Sequence, residues 1–282
     1  MRTAEEAANR DEKVVAGFGD EWSRFTQAAL SREEREKIFT DYFSNFPWYL
    51  LDDESVGADI GCGSGRWAMV VAPRVGYLNL LDASHEALSV AKSNLRDYQN
   101  VAFHHASVGE MPFDDISLDF AYSLGVLHHV PDTLGAIKVV ARKLKPGAPF
   151  LVYLYYAFDN RPRWFRVVWK ISDIARGIVS RLPHWLRYLV SQAIALGIYW
   201  PLARAAKLLE RLGCLPATWP LSYYRDKSLY TLRTDALDRF GTSLEQRFSK
   251  GEIRAMMEAA GFEDIRFSDR EPYWCAVGIK KE

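Results

Sequence analysis

Residues 57–67 read GADIGCGSGRW, with glycines at 61, 63 and 65 directly after a short apolar run. Glycine reaches backbone angles closed to other residues and places no Cβ in a ligand's path. A loop of this kind lets main-chain amides approach an anionic or polar group closely. About 20 residues further on, Asp82 closes the next apolar run, where an acid would hold a ribose diol. His128 and His129 follow a later run and are candidates for a general base, because imidazole titrates near neutrality. Tyr156 and Asp159, past the run after that, are further candidates.

The spacing of the glycines separates possible ligands. A dinucleotide fingerprint requires G-x-G-x-x-G, whereas Gly61, Gly63 and Gly65 give G-x-G-x-G with Arg66 in the sixth place, which counts against nicotinamide. A glycine loop can also be a tight strand-to-helix turn without a ligand, but the acid at the end of the next strand argues for one. Cys62, Cys214 and Cys275 are far apart and odd in number, so neither a disulfide framework nor a zinc site is expected. No spacing of metal ligands stands out.

These residues need a scaffold, and the chain supplies its pattern. Apolar runs of strand length alternate with helical periodicity from about Val56 to Tyr156, the sequence form of a parallel doubly wound sheet. Strands are expected at Val56–Ile60, Tyr77–Asp82, Val101–Ala106, Leu118–Gly125 and Pro149–Tyr156. Helices fall between them near Arg66–Ala72, Ser84–Leu95, opened by Ser84 as N-cap, and Thr133–Leu144. After a long interruption a helix at Lys250–Ala260 ends on Gly261, and strands follow at Phe262–Ser268 and Tyr273–Lys280.

Composition bounds the rest. The 282 residues, 49% hydrophobic, suffice for one large α/β domain or a domain with an insertion, and a formal net charge of zero implies no polyelectrolyte partner. The N-terminal MRTAEEAANRDEKVV lacks the apolar centre of a signal peptide, and no uncharged apolar run reaches the roughly 18 residues of a membrane span. The expectation is a cytoplasmic protein, at most peripheral to a membrane.

In the order and spacing of its motifs the chain resembles class I S-adenosylmethionine (SAM)-dependent methyltransferases, in particular the small-molecule branch with ubiquinone- and menaquinone-biosynthesis enzymes. ADIGCGSGRW is similar to that family's first motif, LDAS at Leu81–Ser84 to its second, and EMPFDDISLDFAYSLGVLHHVPD at Glu110–Asp132 to its third and fourth. LKPGAPFLVY at Leu144–Tyr153 resembles the entry to the fifth strand. The resemblance implies a Rossmann-like sheet of seven strands, mostly parallel with the last antiparallel, an N-terminal helical lid and a helical cap insertion. It implies SAM as methyl donor, with S-adenosylhomocysteine as product.

Carried over position by position, Asp59 would orient the methionine ammonium, and Gly61, Gly63 and Gly65 would pass the methionine moiety. Asp82 would accept the ribose hydroxyls and Ala83 would flank the adenine. Tyr122, Ser123 and Leu124 would line the sulfonium side. Trp22 and Phe25, in GFGDEWSRF at Gly17–Phe25, are lid candidates, with ordinary helix packing as the alternative. The chain departs from the family at Ser107, where many members carry an acid; adenine would then rest on Ser107 with backbone groups of Ala106 and Val108. His128 and His129 would stand near the reactive methyl, the alternative being that LHHV starts a packed turn.

The acceptor is narrowed by what is missing. The fourth strand ends YSLG, not the Asp/Asn-Pro-Pro-aromatic signature of exocyclic-amine methyltransferases of nucleic acids, and no Pro-Cys pair offers a nucleophile for cytosine C5. Nucleic acid is disfavoured, and a small-molecule acceptor, hydrophobic or lipid-linked, is expected. A non-catalytic SAM-binding regulator and an RNA modifier are the alternatives.

Domain boundaries are expected at 1–50 (lid), 51–157 (SAM-binding core), 158–235 (basic, aromatic cap) and 236–282 (remainder of the core). From Asp159 to Arg211 ten Arg and Lys face three Asp and Glu, in a chain of 36 basic and 36 acidic residues. Trp164, Val167, Val168, Ile171, Ile174, Ala175 and Ile178 recur at helical spacing with Arg163, Arg166, Lys170 and Arg176 on another face. The uncharged YLVSQAIALGIYWPLA at Tyr188–Ala203 follows, with Trp185 and Trp200 near its ends. Two compatible readings arise: a cap whose apolar faces pack over the active site, and peripheral membrane contact through 159–211. Tyr230, Arg233, Asp235 and Arg239 would bind a polar acceptor or form a surface ion-pair network.

Overall fold

A computed structural model describes residues 9–282. Its strands are β1 (Val56–Ile60), β2 (Tyr77–Asp82), β3 (Val101–His105), β4 (Phe120–Leu124), β5 (Pro149–Tyr153), β6 (Phe262–Phe267) and β7 (Cys275–Lys280). They form one sheet in the order β3-β2-β1-β4-β5-β7-β6. The first five pair in parallel, and β7 runs antiparallel to both β5 and β6. This is the Rossmann-like doubly wound sheet expected, with strand boundaries within a few residues of the sequence pattern.

The helices among the described residues, in chain order, are α1 (Glu12–Arg24), α2 (Arg32–Tyr42), α3 (Ala68–Val71), α4 (His85–Asn94), α5 (Thr133–Lys143), α6 (Arg163–Val179), α7 (His184–Ile194), α8 (Trp200–Arg211), α9 (Leu229–Gly241) and α10 (Lys250–Ala259). Local chemistry explains their starts. Ser84 Oγ accepts the Ala87 amide at the head of α4, Asp132 accepts that of Gly135 at α5, and Ser249 with Glu252 closes a capping box at α10. The helix expected at Arg66–Ala72 shrinks to the single turn of α3 followed by a 3₁₀ turn at Ala72–Arg74, where Pro73 withholds an amide from the helical ladder.

Two compact units divide the chain. One holds the described residues to Ala28, Arg35–Ala157 and Leu244–Glu282; the other holds Ala29–Glu34 and Phe158–Ser243. In the first, strand alternation sorts side chains to the two sheet faces. Ala58, Ile60, Ala121, Phe150 and Val152 join Ile137, Val140 and Ile253 on one side. Leu78, Leu80, Phe120, Tyr122 and Leu151 join Leu88, Trp67 and Phe43 on the other.

The second unit is helical. Its border falls at Ser243 and not at the expected 235, because α9 runs unbroken through that position and packs on α7 and α6. Glu34 belongs to this unit, and its carboxylate accepts the Ser228 amide and the Thr231 hydroxyl at the start of α9. The uncharged Tyr188–Ala203 stretch is continuous helix, with a π-turn at Ala195–Tyr199 joining α7 to α8. No helix among the described residues is long and apolar enough to cross a membrane.

Helix α6 corrects one expectation. Arg176 does not share the outer face with Arg163, Arg166 and Lys170; it is half-buried, 2.7 Å from Asp173, and donates to the Thr242 carbonyl over 2.9 Å. Arg239 of α9 approaches the same Asp173 to 3.6 Å. The half-buried Asp173 carboxylate pairs with both cations, and Arg176 lies on the side of the helix that bears it.

Candidate active site

The site assembles at the carboxyl ends of β1 and β4, the point where strand order reverses and where doubly wound sheets take ligands. Gly61, Gly63 and Gly65 hold φ of 78°, 53° and 73°, which side chains disfavour. The space around them is restricted as well. A Cβ on Gly61 would stand 2.4 Å from Val126, and one on Gly63 would stand 2.8 Å from the Trp22 indole of α1. Beyond β4, Gly125 also has φ of 80°, and a Cβ there would meet nothing within 4 Å, so the strand ends on open space.

Two carboxyl groups frame this space. Asp82 takes the Gly63 amide on one oxygen at 2.9 Å and the Ser84 amide on the other at 2.8 Å, so the acid shapes the loop and keeps lone pairs for a ligand hydroxyl. Burial raises its pKa against the pull of those amides. Asp59 is 1% exposed and accepts the Tyr122 hydroxyl at 2.9 Å. Burial pushes its pKa up to about 8, opposed by the Tyr122 hydrogen bond. The Arg66 guanidinium lies 4.3 Å from the Trp67 ring centroid and 5.8 Å from that of Trp22, a stack joining the loop to α1. Trp22 is thus in contact with the loop, whereas Phe25 is 3% exposed and is packed as core.

The remaining candidates divide by whether their polar atoms are already engaged. Ser123 is wholly buried, and its hydroxyl donates to the Ile60 carbonyl at 2.9 Å, tying β4 to β1. Leu124 is 8% exposed at the strand end. Ala83 accepts from His105 Nε2 at 2.9 Å, and the Ala106 amide donates to Asp82 at 3.1 Å, so the ends of β2 and β3 are laced together. Ser107 donates to Glu110 at 3.1 Å, with buried Val108 between them. Glu110 is thus the acid nearest to position 107 along the chain, and the sequence reading gave it no role.

His128 and His129 share a 3₁₀ turn at Leu127–His129, and the turn is seated on the glycine loop through Val126, whose carbonyl accepts the His129 amide. His129 Nδ1 lies 2.7 Å from the Leu244 carbonyl, and Phe18 of α1 stands 5.0 Å from its ring. His128 differs. It is wholly buried, stacked 3.9 Å from Tyr155, and neither ring nitrogen has a hydrogen-bond partner. Burial, then the neighbouring His129 and Arg247, push its pKa well below the usual imidazole value, so it is neutral at physiological pH. Tyr155 and Arg247, whose guanidinium lies 5.0 Å from the Tyr155 ring, escaped the sequence reading. Tyr155 lies two residues past the end of β5, which was the available signal; Arg247 carried none.

Tyr156 instead makes a β-bridge with Phe248. Asp159, Tyr230, Arg233, Asp235 and Arg239 belong to the second unit, where Arg233 donates to Gln192 and Tyr188. Among the described residues no cluster of His, Cys, Asp or Glu could hold a metal ion.

Residues 58–152 match the sequence family described as a methyltransferase domain. Over 92 residues the chain is 34% identical to a demethylmenaquinone methyltransferase of Bacillus licheniformis and 36% identical to one of Staphylococcus aureus. Those stretches are 32% of this chain and 40% and 38% of the relatives, so the chain spans about two fifths of their length. By sequence, the stretch 58–152 is that of a methyltransferase domain. Among solved structures, a proposed methyltransferase in complex with the Haloferax volcanii Trm112 methyltransferase activator superposes with a TM-score of 0.54 and 16% identity, over 94% of this chain and 98% of that one. A proposed methyltransferase from Bacillus halodurans gives 0.50 and 17%, over 82% and 72%. Both share the fold.

The site fits the methyl donor of such a domain. The open end of β4 at Gly125, the amide-lined loop and the half-buried Asp82 suit an adenosyl group joined to an amino acid.

Proposed function

We propose that this protein moves the methyl group of SAM to a small apolar acceptor of the lipid-linked kind. What supports the reading is the packing of Val126, two residues before His128, on Gly61 of the glycine loop, together with the absence of a hydrogen-bond partner at either nitrogen of the His128 ring. Asp82 would bind the ribose hydroxyls and Glu110, with Ser107, the adenine edge. Asp59, the loop glycines and Trp22 would hold the amino-acid end. When bound, the sulfonium supplies an already activated methyl group.

The chain's own work is then to position the acceptor in line with that methyl and to take its proton. Positioning can contribute ~7–11 kcal/mol, and a general base roughly 10²–10⁴-fold, or about 3–5 kcal/mol. Alignment outweighs the base. His128, kept neutral by burial, can accept a proton at neutral pH without first losing one. Tyr155 stacks on it and fixes its ring plane, with Arg247 behind.

The menaquinone relatives support a lipid-linked acceptor, and an acceptor of that kind resides in a bilayer, where the 158–243 unit would meet it. Incubating the purified protein and methyl-deuterated SAM with a lipid extract and with an RNA pool tests the reading by mass spectrometry. Label in an organic-phase product is the expected result. Label confined to RNA would favour the RNA modifier, and SAM binding without label in either pool would favour the regulator.

A further inference from the structure

Helix α6 is folded inside out for a helix surrounded by water. Its inward side carries an ion pair, Asp173 with Arg176, together with Arg239 of α9. The aromatic rings of Phe165 and Trp169 pack on Phe158 at the same side. The outward side is apolar: Trp164, Val167, Val168, Ile171, Ile174 and Ile178 are 48–68% exposed. At about 100° per residue these side chains fall within one sector of roughly 120°. Arg163, Arg166 and Lys170 are all exposed and lie along one flank of that stripe. Trp185, at the start of α7, is 62% exposed. Contiguous exposed apolar surface of this kind marks an interaction site.

We propose that α6 lies in the plane of an anionic bilayer, with its apolar stripe at the acyl boundary and Arg163, Arg166 and Lys170 at the level of the lipid phosphates. Charge complementarity selects this occupant. The segment 159–211 carries seven more cations than anions, ten against three, while the whole chain is neutral, so the cations are gathered where the apolar side chains emerge. Indole rings at the edge of such a stripe suit the headgroup region. A second copy placed on α6 by two-fold symmetry would set the same cations against each other. The inference does not rest on the methyl-transfer reading, because docking needs neither donor nor acceptor.

Co-sedimentation of the full chain with vesicles of phosphatidylcholine, with and without phosphatidylglycerol, tests the proposal. Binding is expected only with the anionic lipid, weakening as salt rises. Arg163→Gln, Arg166→Gln and Lys170→Gln together should lower the partition coefficient roughly 100-fold, about fivefold for each cation. Val167→Ser, Ile171→Ser and Ile174→Ser together should abolish binding. These six side chains are exposed, so circular dichroism and Tm should match wild type and keep the comparison valid. Wild-type protein left in the supernatant, or bound equally to neutral vesicles, would overturn the proposal. So would a dimer in sedimentation velocity that the Ser variant dissolves, which would make a second copy the occupant.

Discussion

The Tyr122 hydroxyl donates to Asp59 over 2.9 Å, and the two residues are paired across the β1–β4 register, so one strand supplies the acid and its neighbour the proton that steadies it. Asp59 has an ordinary value of 3.8 and is raised to about 8 by burial. Between those limits the folded chain binds a proton that the unfolded chain has released. This contribution to stability is complete below 3.8 and fades as pH rises to about 8. Asp59→Asn removes the titration. Wild-type Tm should therefore fall relative to the variant between pH 5 and 8, by about 2–4 °C per kcal/mol. Parallel Tm profiles in scanning calorimetry would rule the assignment out.

Asp82 and Gly63 should separate in how binding fails. Asp82→Ala removes a charge-assisted hydrogen bond worth ~1.5–3 kcal/mol, so S-adenosylhomocysteine should bind about 10- to 100-fold more weakly by titration calorimetry. Gly63→Val places a branched side chain at φ of 53° and against Trp22, and binding should vanish while the fold persists. Unchanged affinity in both variants would mean that the loop is only a turn.

His128→Phe keeps an aromatic ring against Tyr155 and fills the same buried space without a nitrogen. Turnover should drop about 10²- to 10⁴-fold at unchanged affinity for S-adenosylhomocysteine if the imidazole takes the acceptor's proton. His129→Phe loses the contact with the Leu244 carbonyl as well, so its loss of turnover should come with a lower Tm. A His128→Phe enzyme with wild-type turnover would assign that ring to packing alone.

The middle of the sheet was legible because β1, β4, β5 and β7 are largely buried on both faces and read as mostly apolar runs. Ser84 marked a helix start because its hydroxyl has one local use there. The glycine loop and Asp82 were legible for a similar reason, since their chemistry depends on local spacing. Arg247 was not, because it meets Tyr155 from far along the chain, a contact that sequence distance does not encode. The polarity of α6 was readable as a pattern, but which side would face inward was not. That choice is made by Asp173 meeting Arg239 from a helix far along the chain.

Just outside the 158–243 segment the chain is clasped to itself: the Ala157 amide donates to the Phe248 carbonyl and the Phe248 amide to that of Tyr155, each over 2.9 Å. An insertion whose ends are tied together imposes little closure entropy on the fold that carries it. The segment is in effect a cassette. Recombination could exchange one contiguous stretch of coding sequence here, provided the incoming stretch again offers an amide and a hydroxyl to Glu34.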